Sequence, residues 1–176
     1  MSVVGPLVYD GNVPVTFVPA DPDTGYQIGD INAPDDDELA TGEADDGVAL
    51  GSYIQATGGI SFNRSTDMID TSALDRENTS EYPGGLSGTP SITFRVQNRD
   101  GDNAAFDLFK PGKVAGDFVF GFEGSNDTVD DEVTIIRCVA SHPVRNNPAR
   151  GDEQLFTIQL GVQDEAYDVA VVAASA

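Results

Sequence analysis

His142, Cys138 and an excess of carboxylates are the groups in this chain whose chemistry could drive a reaction. His142 is the only histidine, so any Ser–His–carboxylate or Cys–His relay would have to pass through it. No serine stands in a G-x-S-x-G setting, and His142 precedes Pro143 where a strand-like run stops, so it reads as a strand-end residue. Cys138 alternates with Ile136 and Ala140, the phase of a small core hydrophobe rather than a reactive thiol. A lone cysteine also excludes an intrachain disulfide and a cysteine metal cluster. Asp21-Pro22-Asp23-Thr24-Gly25 and Asp100-Gly101-Asp102-Asn103 approach calcium loops, but neither completes the D-x-[DN]-x-[DN]-G pattern with its later Glu. Asp35-Asp36-Asp37-Glu38 reads as a solvated acidic face. Gly84-Gly85-Leu86-Ser87-Gly88 lacks the Lys-Ser/Thr of a phosphate loop and leads into a strand, so it reads as a turn. Arg150-Gly151-Asp152 and the sequons at Asn63, Asn78 and Asn126 are short matches without supporting context. No catalytic residue, metal site or cofactor is expected.

The formal net charge of −21 sets thirty acidic residues against nine basic ones, and the first basic side chain is Arg64. Three readings fit: an acidic surface adapted to molar salt, where the Debye length shrinks to about 3 Å; a surface built to repel anions; and an acidic disordered tail. Disorder alone is disfavoured, because the 39% of hydrophobic residues recur with strand period. Phosphate-based nucleic-acid binding needs clustered Lys and Arg, so it is disfavoured too. No apolar run nears the ~20 residues of a spanning helix, and the N-terminus lacks the order of a signal peptide, so no membrane association is expected.

The elements that would position functional residues are mostly strands, one domain over residues 1–176. LVYDGNVPVTFV places Asp10-Gly11 between apolar arms, a hairpin signal, and Pro14 suggests an edge strand. Residues 21–47 lose periodicity and form an acidic extended loop or arm, with Tyr26, Ile28, Ile31 and Leu39 as sparse apolar anchors suited to ordering against a neighbour. SYIQATGGISF resumes as strand with a bend at Gly58-Gly59. A polar excursion over 64–90 follows. SITFRVQN alternates cleanly, and in DGDNAAFDLFKPG the residues Ala105, Leu108 and Phe109 fall at i, i+3, i+4, which predicts a short amphipathic helix capped by Asp100 or Asp102 and ended by Lys110-Pro111-Gly112. DFVFGFEG, EVTIIRCVASH and EQLFTIQLGVQ are strands, and residues 164–176 form a C-terminal strand or arm. Seven or eight strands, one short α-helix and no second core predict a mainly β fold, a β-sandwich or partly closed barrel with long loops or arms.

A strand with Phe62 leads into Met68-Ile69-Asp70-Thr71-Ser72-Ala73-Leu74-Asp75, then Glu81-Tyr82-Pro83-Gly84-Gly85-Leu86, the alternating strand, the short helix, and an aromatic strand ending Gly121-Phe122-Glu123-Gly124. The order of these features resembles the major tail tube proteins of long-tailed, non-contractile viruses. The resemblance covers 51–124 well and 130–163 as generic strands; the acidic arm and the scarcity of Lys depart from it. It implies a structural virion protein, possessing no catalysis and no cofactor, whose copies form six-membered rings stacked into a tube with a continuous β-barrel around a channel. Its partners would be itself, tape measure, terminator and baseplate proteins, with viral DNA passing through the lumen unread. It would be assembled in the host cytoplasm, and a halophilic host would account for the acidity. The excursion and arm then supply inter-subunit contacts through Tyr26, Ile28, Ile31, Leu39, Met68, Ile69, Leu74, Tyr82, Pro83 and Gly84. Pro83-Gly84-Gly85 is expected to be the turn back into the sheet. The alternatives are a secreted or surface β-sandwich binding module and another virion protein, a capsid decoration or tail terminator. Absence of Trp, lack of a signal peptide and the burial-type placement of most Phe weigh against the first.

Overall fold

A computed structural model describes residues 13–42, 45–55, 58–62, 65–70, 81–97, 101–122 and 129–173. The strands are β1 (Val15–Pro19), β2 (Thr41–Gly42), β3 (Asp45–Asp46), β4 (Val48–Ala49), β5 (Ile60–Ser61), β6 (Ser65–Asp70), β7 (Glu81–Ser87), β8 (Ser91–Arg95), β9 (Val114–Phe120), β10 (Glu132–Ala140), β11 (Val144–Arg145) and β12 (Leu155–Ala170). The helices are α1 (Asp36–Leu39) and α2 (Ala104–Phe109), with a 3-10 turn at Gly51–Tyr53. Eight strands build one antiparallel sheet in the order β4-β1-β9-β10-β12-β8-β5, with β11 also on β12. The sheet curls into a half-barrel, so the fold is mainly β, as the period-two patterning predicts.

Alternation along the strands sorts side chains onto two faces, and each face has its own core. The concave face carries Val15 and Phe17 of β1, Phe118 and Phe120 of β9, Ile136 and Cys138 of β10, and Phe156 and Ile158 of β12. Helix α2 fills the hollow, burying Ala105 and Phe109 completely. Its expected i, i+3, i+4 stripe is present, with Leu108 only partly buried. Asn103 sits at its N-cap without a side-chain bond, and Asp102 instead accepts from the Ala104 amide at 3.1 Å. Gly112 closes the helix at φ +70, and His142 packs so closely above it that a Cβ would lie 2.6 Å from the imidazole Nδ1. Gly116 solves a similar problem inside the core: a Cβ there would meet the Phe17 ring and the Val18 carbonyl, both at 2.5 Å.

The convex face holds a second core, where the sequence reading expects none. Val18, Val119, Val133, Ile135, Ala166 and Val171 pack there against Ile28, Ile31 and Leu39 from the acidic segment. Residues 21–40 are therefore not a projecting arm but a strap laid across the sheet. Their apolar residues are too sparse for periodicity, yet three of them are almost fully buried. The strap also contains the unexpected helix α1, started by a capping box. Asp35 accepts from the Glu38 amide at 2.8 Å, while Glu38 accepts from the Asp35 amide at 3.2 Å and from the Gly29 amide at 2.8 Å. Asp35→Ala is expected to cost about 1 kcal/mol and to act locally. Amide exchange should speed up over residues 28–39 and stay unchanged in β9 and β10.

Other expectations need correction. The strand expected over 52–62 is mostly the 3-10 turn and a bridge at Ile54, because Tyr53 turns inward and only Ile60–Ser61 pair with β8. The excursion is a hairpin: β6 pairs with β7, and Pro83-Gly84-Gly85 lies within β7 rather than at a turn, with Pro83 opposite Met68 beside a bulge. Strand β1 is not itself an edge, since two-residue β4 covers it. The C-terminal segment is no separate element as far as Ala170, being the continuation of 16-residue β12. The Asp10-Gly11 hairpin lies outside the described residues.

Candidate functional site

On the convex face, one charged pair fastens the strap to the sheet. Asp117 of β9 and Arg137 of β10 are opposite one another in register, and both point to the side that the strap covers. The guanidinium Nε donates to Asp117 Oδ1 at 2.9 Å and an Nη to Oδ2 at 3.1 Å, a bidentate pair whose carboxylate is fully buried. The same Nη donates to the Ile28 carbonyl of the strap at 2.5 Å. The Tyr26 ring stacks over the guanidinium at 4.4 Å, and the Tyr26 hydroxyl donates to Gln163 Oε1 at 2.6 Å. Gln163 is the extra residue of a β-bulge in β12, between the pairs Arg137–Asp164 and Cys138–Val162. Burial pushes the Asp117 carboxyl above its usual value, partly offset by Arg137, and Asp117 in turn raises Arg137. The Tyr26 phenol is raised by burial and then by Asp117.

The strap presents a different outer surface. Asp23, Asp30 and Asp37 are exposed, and no basic residue lies between Asp21 and Gly47. As side chains, Ile28, Ile31 and Leu39 are held within their own subunit, and Tyr26 is half-buried on Arg137. Any neighbour of this segment would meet its acidic face. Met68, Ile69, Tyr82, Pro83 and Gly84 lie on the β6–β7 hairpin, where Ile69 is opposite Tyr82. Leu74 lies outside the described residues.

Along β12 the backbone has an open side. Its first part, Leu155–Gln159, is paired on both sides, by β8 and β11. The Leu160 amide still donates to the Pro90 carbonyl at 2.9 Å, and from Gly161 to Ala170 the strand pairs with β10 on one side while, among the described residues, no strand pairs with the other. Two register shifts bend this stretch, the second holding Asp168 at φ +50.

The residues weighed for chemistry take structural positions. Cys138 is fully buried, and burial pushes its thiol up to about 12. Asp21 accepts from the amides of Asp23 at 2.7 Å and Thr24 at 2.8 Å, bonds that lower its pKa and close a turn. Asp102 accepts from the Tyr53 hydroxyl, the main cause of its lowered pKa. Asp152 of the Arg-Gly-Asp triplet accepts from the Ala149 amide at 3.0 Å, so that triplet is a turn. Among the described residues, no group of three or more His, Cys, Asp or Glu side chains is arranged to hold a metal ion. No helix among them is long and apolar enough to cross a membrane.

Residues 3–175 match a family described as "Phage tail tube protein". Among solved structures, the chain is similar to one described as the cryo-EM structure of the anti-feeding prophage (AFP) baseplate, 6-fold symmetrised. That likeness has 13% identity, covers 94% of this chain and 96% of the other, and has a TM-score of 0.49. No curated protein matches the sequence.

Proposed function

The chain belongs to the phage tail tube protein family, and from that premise we propose that its copies assemble as six-membered rings stacked into the tail tube of a long-tailed, non-contractile virus, the conduit for genome ejection. It is a structural virion component, and the finer reading rests chiefly on the open side of β12 from Gly161 to Ala170. An unpaired edge of that length is a liability in a free monomer and a ready pairing surface in an assembly. Pairing it with a neighbour's strand would extend the half-barrel sheet around a channel.

The β6–β7 hairpin, with Met68, Ile69, Tyr82, Pro83 and Gly84, and Leu74 in the segment between its strands, would reach the adjacent subunit or ring. The strap would offer its acidic outer face. A carboxylate-rich wall repels phosphates and lets DNA slide, the inverse of counterion release by a DNA-binding protein. The same net charge of −21 would suit a halophilic host. Tape measure, terminator and baseplate proteins would be the other partners, and assembly would take place in the host cytoplasm.

Purified protein, taken through a series of salt and protein concentrations, should form rings or tubes in negative-stain micrographs. A species that remains monomeric in sedimentation under every condition would refute the assembly reading.

A further inference from the structure

The acidity of this chain is not uniform. On the concave side, a cleft of about 680 Å³ opens between α2, the end of β8, β11 and the residues leading into β12. Three of the chain's nine basic residues line it: Arg95, Lys110 and Arg145. Among the described residues two carboxylates line it as well, Asp107 and Glu153, so that lining is net positive in a chain of net charge −21. Glu153 is engaged with Arg95 at 3.1 Å. Arg145 is held over the Phe106 ring at 4.5 Å, and that ring is fixed edge-on to Phe156 at 5.3 Å. Stacking positions the guanidinium without consuming its charge. Among the described residues, no carboxylate forms an ion pair with Lys110 or Arg145.

We propose that this cleft receives the acidic outer face of the strap from a second copy of the chain. Charge complementarity selects an anionic partner, and the strap, residues 21–40, carries seven carboxylates and no basic side chain. The strap cannot serve the cleft of its own subunit. Arg137 and the second core fix it on the convex face, whereas α2 and the cleft lie on the concave one. The contact is therefore heterologous: the front of one copy meets the back of the next, the geometry that closes rings or propagates a stack. This inference rests on the self-assembly reading and adds to it the surfaces that meet and their polarity.

A charge exchange between two variants tests it. Lys110→Glu with Arg145→Glu reverses the cleft, and Asp23→Lys with Asp37→Lys reverses two exposed strap carboxylates. Circular dichroism should show each variant folded. At fixed salt, each alone should need at least about tenfold more protein for half-assembly than wild type. An equimolar mixture should regain assembly, with the two variants alternating where reversed surfaces meet, as native mass spectrometry would read. Cleft-reversed protein that assembles at the wild-type concentration overturns the inference. So does a strap-reversed variant that assembles normally while the cleft-reversed one fails, since another acidic segment is then the occupant. So does a mixture that stays unassembled. A wild type that never assembles is a different result, refuting the tube reading and this inference with it.

Discussion

Phe109→Ala is expected to lower stability by about 3–5 kcal/mol, the range for deleting a fully buried phenylalanine from a core. The ring is completely inaccessible, with centroids 5.2 Å from Phe17, 5.7 Å from Phe94 and 6.0 Å from Phe118. It therefore joins the neighbouring strands β1 and β9 to β8, three places further along the sheet, through a single helix. That helix has six residues, too short to persist without tertiary contacts. Removing its one large anchor leaves both a cavity and an unpinned α2. Because α2 also supplies Phe106 to the cleft and holds Lys110 there as its C-cap, the variant should assemble poorly even where it remains folded. Phe109→Leu, which keeps most of the volume, should cost less than half as much. Urea unfolding followed by near-ultraviolet dichroism measures both, and a loss under about 1 kcal/mol for the alanine variant would contradict the assigned burial.

Arg137→Ala should be comparably damaging, at about 3–5 kcal/mol, for an electrostatic reason. The guanidinium is the bidentate partner of a carboxylate with no exposure to water, and its removal leaves Asp117 buried and uncompensated. Tyr26 and the Ile28 carbonyl lose their common partner in the same step, so the strap should loosen before the sheet does. Hydrogen exchange would then show residues 26–39 opening more readily than β9 or β10. Replacing both partners together, as Asp117→Leu with Arg137→Met, should recover most of the loss, because no buried charge then remains. The pH dependence has a definite sign. The folded-state pKa of Asp117 is raised, so its contribution is fully present below the ordinary carboxylate range and is lost as pH rises through the raised value. Comparing Asp117→Asn with wild type across that window isolates this contribution from those of the other carboxylates.

Most of the sheet was legible because its strands alternate in the sequence. Phe118 and Phe120, Ile136 and Cys138, and Phe156 and Ile158 keep period two on a buried face, and Ala105 and Phe109 keep the helical spacing. The strap was not legible because its anchors obey no period: Ile28, Ile31 and Leu39 are buried by contact with another element, and only three-dimensional proximity reveals that. Two local signals were nevertheless present. Asp35 with Glu38 three residues later is a helix start, and Asp117 and Arg137 are lone charges in the convex-face phase of otherwise apolar strands. A charge in such a phase needs an opposite charge on an adjacent strand, and register supplies it. The hairpin β6–β7 was hidden by Pro83-Gly84-Gly85, residues that usually mark turns, but here Gly84 and Gly85 form a bulge within β7. The cleft was invisible for a simpler reason, since Arg95, Lys110 and Arg145 are separated in sequence and gathered only by the fold.

The path of the chain through the sheet carries a kinetic consequence. Val15 pairs with Phe120, Ile92 with Ile158, and β12 serves as the partner of β8, β10 and β11 at once. The pairings of β1 with β9 and of β8 with β12 thus join residues remote from one another, and the entropy of closing those loops is lost before pairing rewards it, so folding should be slow. Throughout that interval, incomplete sheets expose edges to one another at the concentrations at which a virion protein accumulates. Net charge resists premature association during the same interval, because two unfinished chains each carrying −21 repel before their edges can meet. Only a finished chain gathers three of its nine basic residues into one cleft, so the proposed mutual attraction would begin when folding ends. If the chain assembles as proposed, the uneven charge distribution would order events in time, with folding first and polymerisation second.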